Sequence, residues 1–96
     1  MPAIVYSGSA LDDLDRLFDF IAQSDPAAAG RAAELIIDAV GVLERHPLIG
    51  RPVHGEVREL LISHGRSGYA ALYRVNVARS RVEILALRQQ REAGYG

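Results

Sequence analysis

The chain has 96 residues and a formal net charge of −1, and 49% of its residues are hydrophobic. This length and composition predict one globular domain with a single core. The absence of cysteine excludes disulfides, thiolate metal ligands and cysteine nucleophiles. No apolar run is long enough to cross a membrane and no secretory signal is visible, so a cytoplasmic location without a membrane partner is expected.

The charges are unevenly distributed. Residues 1–44 hold eight acidic residues and two arginines, whereas residues 45–96 hold nine arginines and four acidic residues. Every basic residue apart from histidine is arginine, so no lysine is available as a base or a Schiff-base nucleophile. The pattern predicts an acidic first half and a basic second half, and it weakly favours an acidic partner for the second.

A short strand and a helix are predicted first. The β-prone run Ile4–Tyr6 forms the strand. The helix is expected to begin with Ser9 as its N-cap and with Asp12 completing a capping box. Phe20 lies on the polar side of this helix, away from an apolar stripe made of Leu11, Leu14, Leu17, Phe18 and Ile21.

A second helix follows at once. Asp25 is the expected N-cap and Pro26 suits the first helical position. The helix should end near Arg45–His46, because Pro47 cannot continue it. Ile37 lies at the edge of its alanine-rich apolar stripe. The two helices therefore form a closely packed hairpin.

The second half predicts a loop at 47–55 and then three strands, at 56–62, 69–77 and 82–88. Their short connections indicate an antiparallel meander. The fold class is therefore α+β in the order β-α-α-β-β-β, with the helical hairpin packed on one face of an antiparallel sheet. Residues 1–88 are expected to form the single domain, and residues 89–96 form a polar C-terminal tail.

Strict alternation places large apolar side chains on both faces of this sheet. Leu72 opposes Tyr73, and Leu85 and Leu87 oppose Val82 and Ile84. One helical hairpin covers only one face. We therefore expect a partner or a second copy of the chain to cover part of the other face.

Several segments, in this order and spacing, resemble the RelE/ParE toxin superfamily of type II toxin–antitoxin systems. They are the hairpin start Leu11-Asp12-Asp13-Leu14, Pro47-Leu48-Ile49-Gly50-Arg51-Pro52, Val57-Arg58-Glu59-Leu60, Gly68-Tyr69-Ala70-Ala71-Leu72-Tyr73-Arg74-Val75 and residues 82–95. The resemblance covers nearly the whole chain. It implies the same β-α-α-β-β-β fold and a tight complex with a small cognate antitoxin, such as a ParD-like one, in a hetero-oligomer. It implies no cofactor.

The superfamily divides by target. RelE-like members cleave mRNA on the ribosome, whereas ParE-like members poison DNA gyrase. Cleavage by 2′-hydroxyl attack needs a base, an acid and cations that stabilise the phosphorane. Where the nuclease pattern implies basic residues, this chain has Leu61, Ser63, Ala70 and Gln89, and of the tail positions only Tyr95 matches well.

The sequence therefore favours the ParE-like branch, a gyrase inhibitor without bond chemistry of its own. An RNA-cleaving RelE-like toxin is the alternative, and a non-toxic antitoxin-binding module is the second alternative. Residues expected to contact the target are Arg58, Arg66, Arg88, Arg91 and Tyr95. In the nuclease alternative these residues, together with His64, are the candidate catalytic groups.

Phe20 and Ile37 are the apolar residues that the core stripes explain least, so they are expected to help seat the antitoxin. The full set of expected antitoxin contacts is Leu17, Phe20, Ile37, Leu60, Leu72, Arg74, Leu85 and Leu87. The histidines at positions 46, 54 and 64 show no metal-ligand spacing, so no metal site is expected.

Overall fold

The computed structural model describes residues 2–64, 67–91 and 94–95. Two helices pack on one face of a five-stranded sheet, which confirms the predicted α+β fold and its element order. The strands are β1 (Ala3–Tyr6), β2 (Arg51–His54), β3 (Val57–His64), β4 (Ser67–Asn76) and β5 (Arg81–Gln89), in the spatial order β1-β5-β4-β3-β2. In the described ranges, neither helix has the length and apolarity needed to span a bilayer.

The sheet is mixed rather than wholly antiparallel. β1 pairs in parallel with β5, with Ile4 opposite Val82 and Tyr6 opposite Ile84. The neighbouring pairs β5–β4, β4–β3 and β3–β2 are antiparallel, as the meander predicts. The parallel pair arises because the helical hairpin carries the chain away from β1, and the last strand returns beside it.

Helix α1 (Gly8–Ala22) begins two residues earlier than expected. Its N-cap is Ser7 rather than Ser9, because the Ser7 hydroxyl accepts a hydrogen bond of 3.0 Å from the backbone N–H of Ala10. Ser7 has extended backbone angles, as an N-cap residue requires, and Ser9 lies inside the helix. The predicted capping box at Ser9 and Asp12 is therefore wrong.

Helix α2 (Pro26–Gly41) begins as predicted. The Asp25 carboxylate accepts a 3.1 Å hydrogen bond from the N–H of Ala28, and Pro26 occupies the first turn, where its missing N–H costs nothing. A 3₁₀ turn at Val42–Glu44 follows, so the regular helix ends before the predicted Arg45.

Strand β2 lies inside the segment predicted as a loop. It is a four-residue edge strand that contains Pro52, and its register with β3 shifts between Pro52 and His54. Proline lacks an N–H donor and is tolerated at a sheet edge. A strand of four residues that contains proline resembles a loop in the sequence, and β2 is therefore hard to predict.

The approach to β2 is fixed by Tyr73. Its buried hydroxyl donates to the carbonyl of Pro47 at 2.7 Å and accepts from the N–H of Gly50 at 2.9 Å. A Cβ at Gly50 would lie 2.6 Å from the Tyr73 ring, so only glycine allows this close approach. The hydroxyl of one core residue thus holds the loop against the sheet.

A β-bulge in β5 changes which side chains reach the core. Leu72 pairs with Ala86 but Tyr73 pairs with Ile84, so Leu85 is the extra residue. Alternation reverses after a bulge. Leu87 therefore faces the helices and is fully buried together with Val82 and Ile84, whereas strict alternation had placed it on the opposite face.

Ser7, the N-cap of α1, and Asp13, inside α1, supply hydrogen-bond partners to the backbone at the end of β5. Because β1 ends opposite Ile84, the rest of β5 has no strand neighbour on that side. The Ser7 hydroxyl donates to the carbonyl of Leu85 at 3.1 Å, and the Asp13 carboxylate accepts from the N–H of Leu87 at 2.9 Å. Asp13 is buried, so this contact joins α1 to the bulge inside the protein.

The Tyr73 hydroxyl gives a direct test of the loop attachment. Tyr73→Phe is expected to lower the free energy of unfolding by about 1–3 kcal/mol, because the buried partners at Pro47 and Gly50 lose their hydrogen bonds. Tyr6→Phe is the matched control, since the Tyr6 hydroxyl is buried without a hydrogen-bond partner among the described residues. The control should leave stability unchanged or slightly higher, as measured by urea denaturation. Equal losses in both variants would contradict this account.

Candidate functional site

Four side chains meet on the sheet face that the helices leave uncovered. Glu59 lies on this face because its neighbours Leu60 and Ile62 point toward the core. Arg51 reaches it from β2, Arg88 from β5 and Tyr95 from the segment after β5. We call these four residues, Arg51, Glu59, Arg88 and Tyr95, the Glu59 cluster.

The Glu59 carboxylate is only 4% exposed, and both of its oxygens accept hydrogen bonds. Oε1 accepts from Arg51, at 3.0 Å from Nε and 2.6 Å from Nη2. Oε2 accepts from the Tyr95 hydroxyl at 2.6 Å and from Arg88 Nη2 at 3.5 Å. The Arg88 guanidinium also lies 5.0 Å from the centre of the Tyr95 ring, a cation–π distance.

The cluster shifts two pKa values in opposite directions. The Tyr95 hydrogen bond, followed by the hydrogen bond and charge of Arg51 and the charge of Arg88, holds the pKa of Glu59 below its ordinary 4.5 against the effect of burial. Burial and the Glu59 carboxylate raise the pKa of Tyr95 far above its ordinary 10.0. Tyr95 is therefore a neutral hydrogen-bond donor at physiological pH.

This arrangement limits the chemistry of the cluster. A carboxylate with four donors has little capacity left to take a proton from a substrate. A phenol with a raised pKa is a poor base, since a catalytic base works best with a pKa near the working pH. In the part of the chain that the structure describes, no group of acidic or histidine side chains is arranged to hold a metal ion. The cluster is suited to holding groups in position and to contacting a partner.

A second ion-pair group lies further along the same face. Glu83 accepts from Arg74 at 2.6 Å and from Arg81 at 3.1 Å. The hydrogen bond from Arg74 is the main cause of the lowered pKa of Glu83. Arg74, an expected antitoxin contact, is thus paired within the chain across β4 and β5.

The expected target residues do not all come together. Arg88 and Tyr95 meet in the Glu59 cluster, and Arg91 is exposed just after β5. Arg58 instead donates to the carbonyls of Leu48 at 3.1 Å and Gly50 at 2.8 Å, and so supports the loop before β2. Arg66 and the side chain of His64 lie outside the described residues.

The expected antitoxin residues also divide. Leu17 and Leu87 are buried in the core, and Leu60 is partly buried against it. Leu72 and Leu85 are half-buried. Phe20 and Ile37 remain accessible on the helices, with exposures of 61% and 49%.

Phe20 lines a groove between α1 and the end of β5. The groove has a volume of about 400 Å³, and Arg16, Leu17 and Gln89 complete its lining. Its apolar wall and exposed aromatic ring make it suitable for an apolar side chain of a partner.

The sequence patterns do not point to Arg51 or Glu59 as site residues. The sequence predicts a loop at Arg51, and the role of Arg51 follows from its pairing with Glu59 between β2 and β3. Glu59 carries a usable signal, since it lies in a strand at a position that alternates with the core residues Leu60 and Ile62. Alternation alone does not show that two arginines and a tyrosine from three other segments cover it.

A family model described as the ParE toxin of the type II toxin–antitoxin system parDE matches residues 4–94. Two relatives from Caulobacter vibrioides are each 35% identical to the chain. Toxin RelE3 matches over 75 residues, covering 78% of this chain and 82% of the relative. Toxin RelE1 matches over 72 residues, covering 75% and 77%.

Solved structures agree with this match. The chromosomal ParDE TA system from P. aeruginosa aligns with a TM-score of 0.74 and 25% identity, over 93% of this chain and 96% of the other. A metal-bound toxin from Helicobacter pylori aligns with a TM-score of 0.53 and 14% identity, over 98% of this chain and 100% of the other, and this likeness shows the fold alone.

The fold and these matches define a toxin of the RelE/ParE superfamily. Within that superfamily, the chain belongs to the ParE toxin family of type II toxin–antitoxin systems.

The cluster predicts a specific pH dependence. A carboxylate with a lowered folded-state pKa adds stability above its unfolded pKa, and this stability is lost as the pH falls through the folded value. Between about pH 5 and pH 3, the wild-type chain should therefore lose more unfolding free energy than Glu59→Gln. Glu44→Gln, at an exposed position, should keep the wild-type slope. Urea denaturation at several pH values measures these slopes, and a wild-type slope in Glu59→Gln would contradict the assignment.

Proposed function

We propose that this toxin is a ParE-like inhibitor of DNA gyrase that acts by binding and is neutralised by a cognate antitoxin. The observation that carries this proposal is that Arg88 and Tyr95 already make hydrogen bonds within the chain. A nuclease would need these groups for the phosphate and the proton, but both are bound to the buried carboxylate of Glu59.

Charge supports a binding role over RNA cleavage. Placing the Glu59 carboxylate among the guanidiniums of Arg51 and Arg88 cancels part of the positive charge that would stabilise a phosphorane. It also repels a phosphate that approaches the same side chains. The cluster contains no histidine, and its tyrosine has a pKa that has moved away from neutrality.

The proposed target surface is the open sheet face together with the segment after β5. Arg88 and Tyr95 form its fixed part, and the exposed Arg91 lies beside them in sequence. Arginine and tyrosine are common energetic centres of protein interfaces, because each combines apolar area with polar donors.

The proposed antitoxin surface lies elsewhere, on the helices. Phe20 and Ile37 are large apolar side chains with about half or more of their area exposed, and Phe20 borders a groove. The similar P. aeruginosa structure is a ParDE toxin–antitoxin system. An antitoxin that covers such side chains would bury apolar area on binding.

Arg91 and Arg79 offer a matched test of the target surface. Both are exposed arginines, and they flank opposite ends of β5, so their removal changes the net charge equally. The purified wild-type chain should inhibit supercoiling by gyrase. Arg91→Ala should raise the half-inhibitory concentration by about fivefold or more, and Arg79→Ala by less than about twofold.

Expression without the antitoxin separates the alternatives. Gyrase inhibition predicts filamentous cells and a DNA-damage response. Rapid arrest of translation with cleaved transcripts, and no effect on supercoiling, would replace the proposal by the RelE-like nuclease. Normal growth at a verified toxin level would leave only an antitoxin-binding module.

Phe20 tests the antitoxin surface. Phe20→Ala should weaken the complex with the cognate antitoxin by about tenfold or more, because a large apolar contact is lost. Val77→Ala is the control, since Val77 is an apolar residue with 84% exposure in the β4–β5 turn, far from the helices in sequence. Calorimetry measures both affinities. Full affinity in Phe20→Ala, and in a matching Ile37→Ala variant, would reject this surface.

A further inference from the structure

Glu59 is unusually well covered for its position. It lies on the sheet face without helices, and Leu61, two residues further along the same face, is 54% exposed. Glu59 itself is 4% exposed. The cover therefore comes from the side chains of the Glu59 cluster and not from a layer of secondary structure.

The donors of the cluster connect segments that are distant in the chain. Arg51 belongs to the edge strand β2, Arg88 to the interior strand β5, and Tyr95 follows Glu59 by 36 positions. A single carboxylate thus links β2, β3, β5 and the C-terminal segment. Loss of its charge would weaken the contacts of all three donor side chains together.

Arg88 also contacts the backbone at the end of β5 and just beyond it. Its Nη1 atom donates to the carbonyls of Gln89 at 3.1 Å and Gln90 at 3.2 Å. Gln90 in turn donates from its backbone N–H to Gly68 at 2.9 Å and from its side chain to Tyr69 at 3.1 Å. The direction in which the chain leaves the sheet is therefore set jointly by Arg88, which Glu59 holds, and by the hydrogen bonds of Gln90 to β4.

Ala70 provides the space for this arrangement. It pairs with Leu61 on β3 and with Arg88 on β5, and it is fully buried although its face has no helices. A small side chain at this position leaves room for Arg88 beside it. Ala70, where the nuclease pattern implies a basic residue, is thus buried in the covered part of this face.

We propose that Glu59 is the positioning residue of the target surface, holding Arg88 and Tyr95 in their contact geometry and the C-terminal segment against the open sheet face. The role in target contact rests on the proposed function, whereas the structural link can be measured without any target. In this role Glu59 acts through Arg88 and Tyr95 and not by touching the target.

The first measurement follows the tyrosines of the full chain by NMR, with ¹³C-labelled Tyr Cζ and the Tyr95 signal assigned from Tyr95→Phe. Glu59→Gln should make the Tyr95 signal begin to titrate at a lower pH than in the wild type, because the neighbouring anion that opposes tyrosinate is gone. The titration of Tyr69 and Tyr73 should not change. An unchanged onset at Tyr95 would overturn the link, whatever the target proves to be.

The second measurement compares gyrase inhibition by Glu59→Gln, Tyr95→Phe and the double variant. Each single change should raise the half-inhibitory concentration by about fivefold or more. The double variant should inhibit as well as the less active of the two single variants, because both changes break the same interaction. Tyr95→Phe removes only a hydroxyl and keeps the test valid if Glu59→Gln folds poorly. Wild-type inhibition by Tyr95→Phe, or additive losses in the double variant, would overturn the positioning role.

Failure of the proposed function has a different signature. In that case the wild-type chain would not inhibit gyrase at all, and the NMR titration alone would decide whether Glu59 positions Tyr95. Glu44→Gln serves as the control in both measurements and should match the wild type in each.

Discussion

One buried carboxylate determines how the exposed side of this toxin is organised. An ionised glutamate can be buried only if cations and hydrogen-bond donors replace its water. Glu59 obtains them from Arg51, Arg88 and the Tyr95 hydroxyl. These donors come from the edge strand β2, the interior strand β5 and Tyr95 beyond β5, so the requirement of a single charge connects three separate parts of the chain on one sheet face.

The opposite face follows a different rule. There the helical hairpin covers the apolar side chains of β3, β4 and β5, and two polar side chains that enter this core bond to the backbone. The Tyr73 hydroxyl satisfies Pro47 and Gly50, and the Asp13 carboxylate satisfies Leu87 where β5 has passed the end of β1. The sheet thus has one face stabilised by burial and one organised by charge. A toxin that contacts its target by binding can use the charged face without exposing the core.

Much of the fold was predictable because periodicity and caps are local signals. The two helices, the Asp25 cap and the three long strands were predicted from such patterns. The errors have physical causes: β2 is a short proline-containing edge strand, and the bulge at Leu85 reverses the alternation that had placed Leu87 outside the core. For the site, Arg88 and Tyr95 are among the expected target contacts, and of the two only Tyr95 matches the pattern of the resemblance. The sequence does not point to Glu59 and Arg51, because their pairing depends on the register of two strands separated by a turn.

The most direct test of this account is the titration of Glu59 itself. The side-chain Cδ signal of Glu59 in the full ¹³C-labelled chain, assigned by its absence in Glu59→Gln, reports the ionisation of the carboxylate by NMR. If the cluster is organised by a buried anion, the midpoint lies below the ordinary value of 4.5 while the fold remains native. A midpoint at or above 4.5 would mean that burial outweighs the donors, and it would contradict the central role of the charged carboxylate.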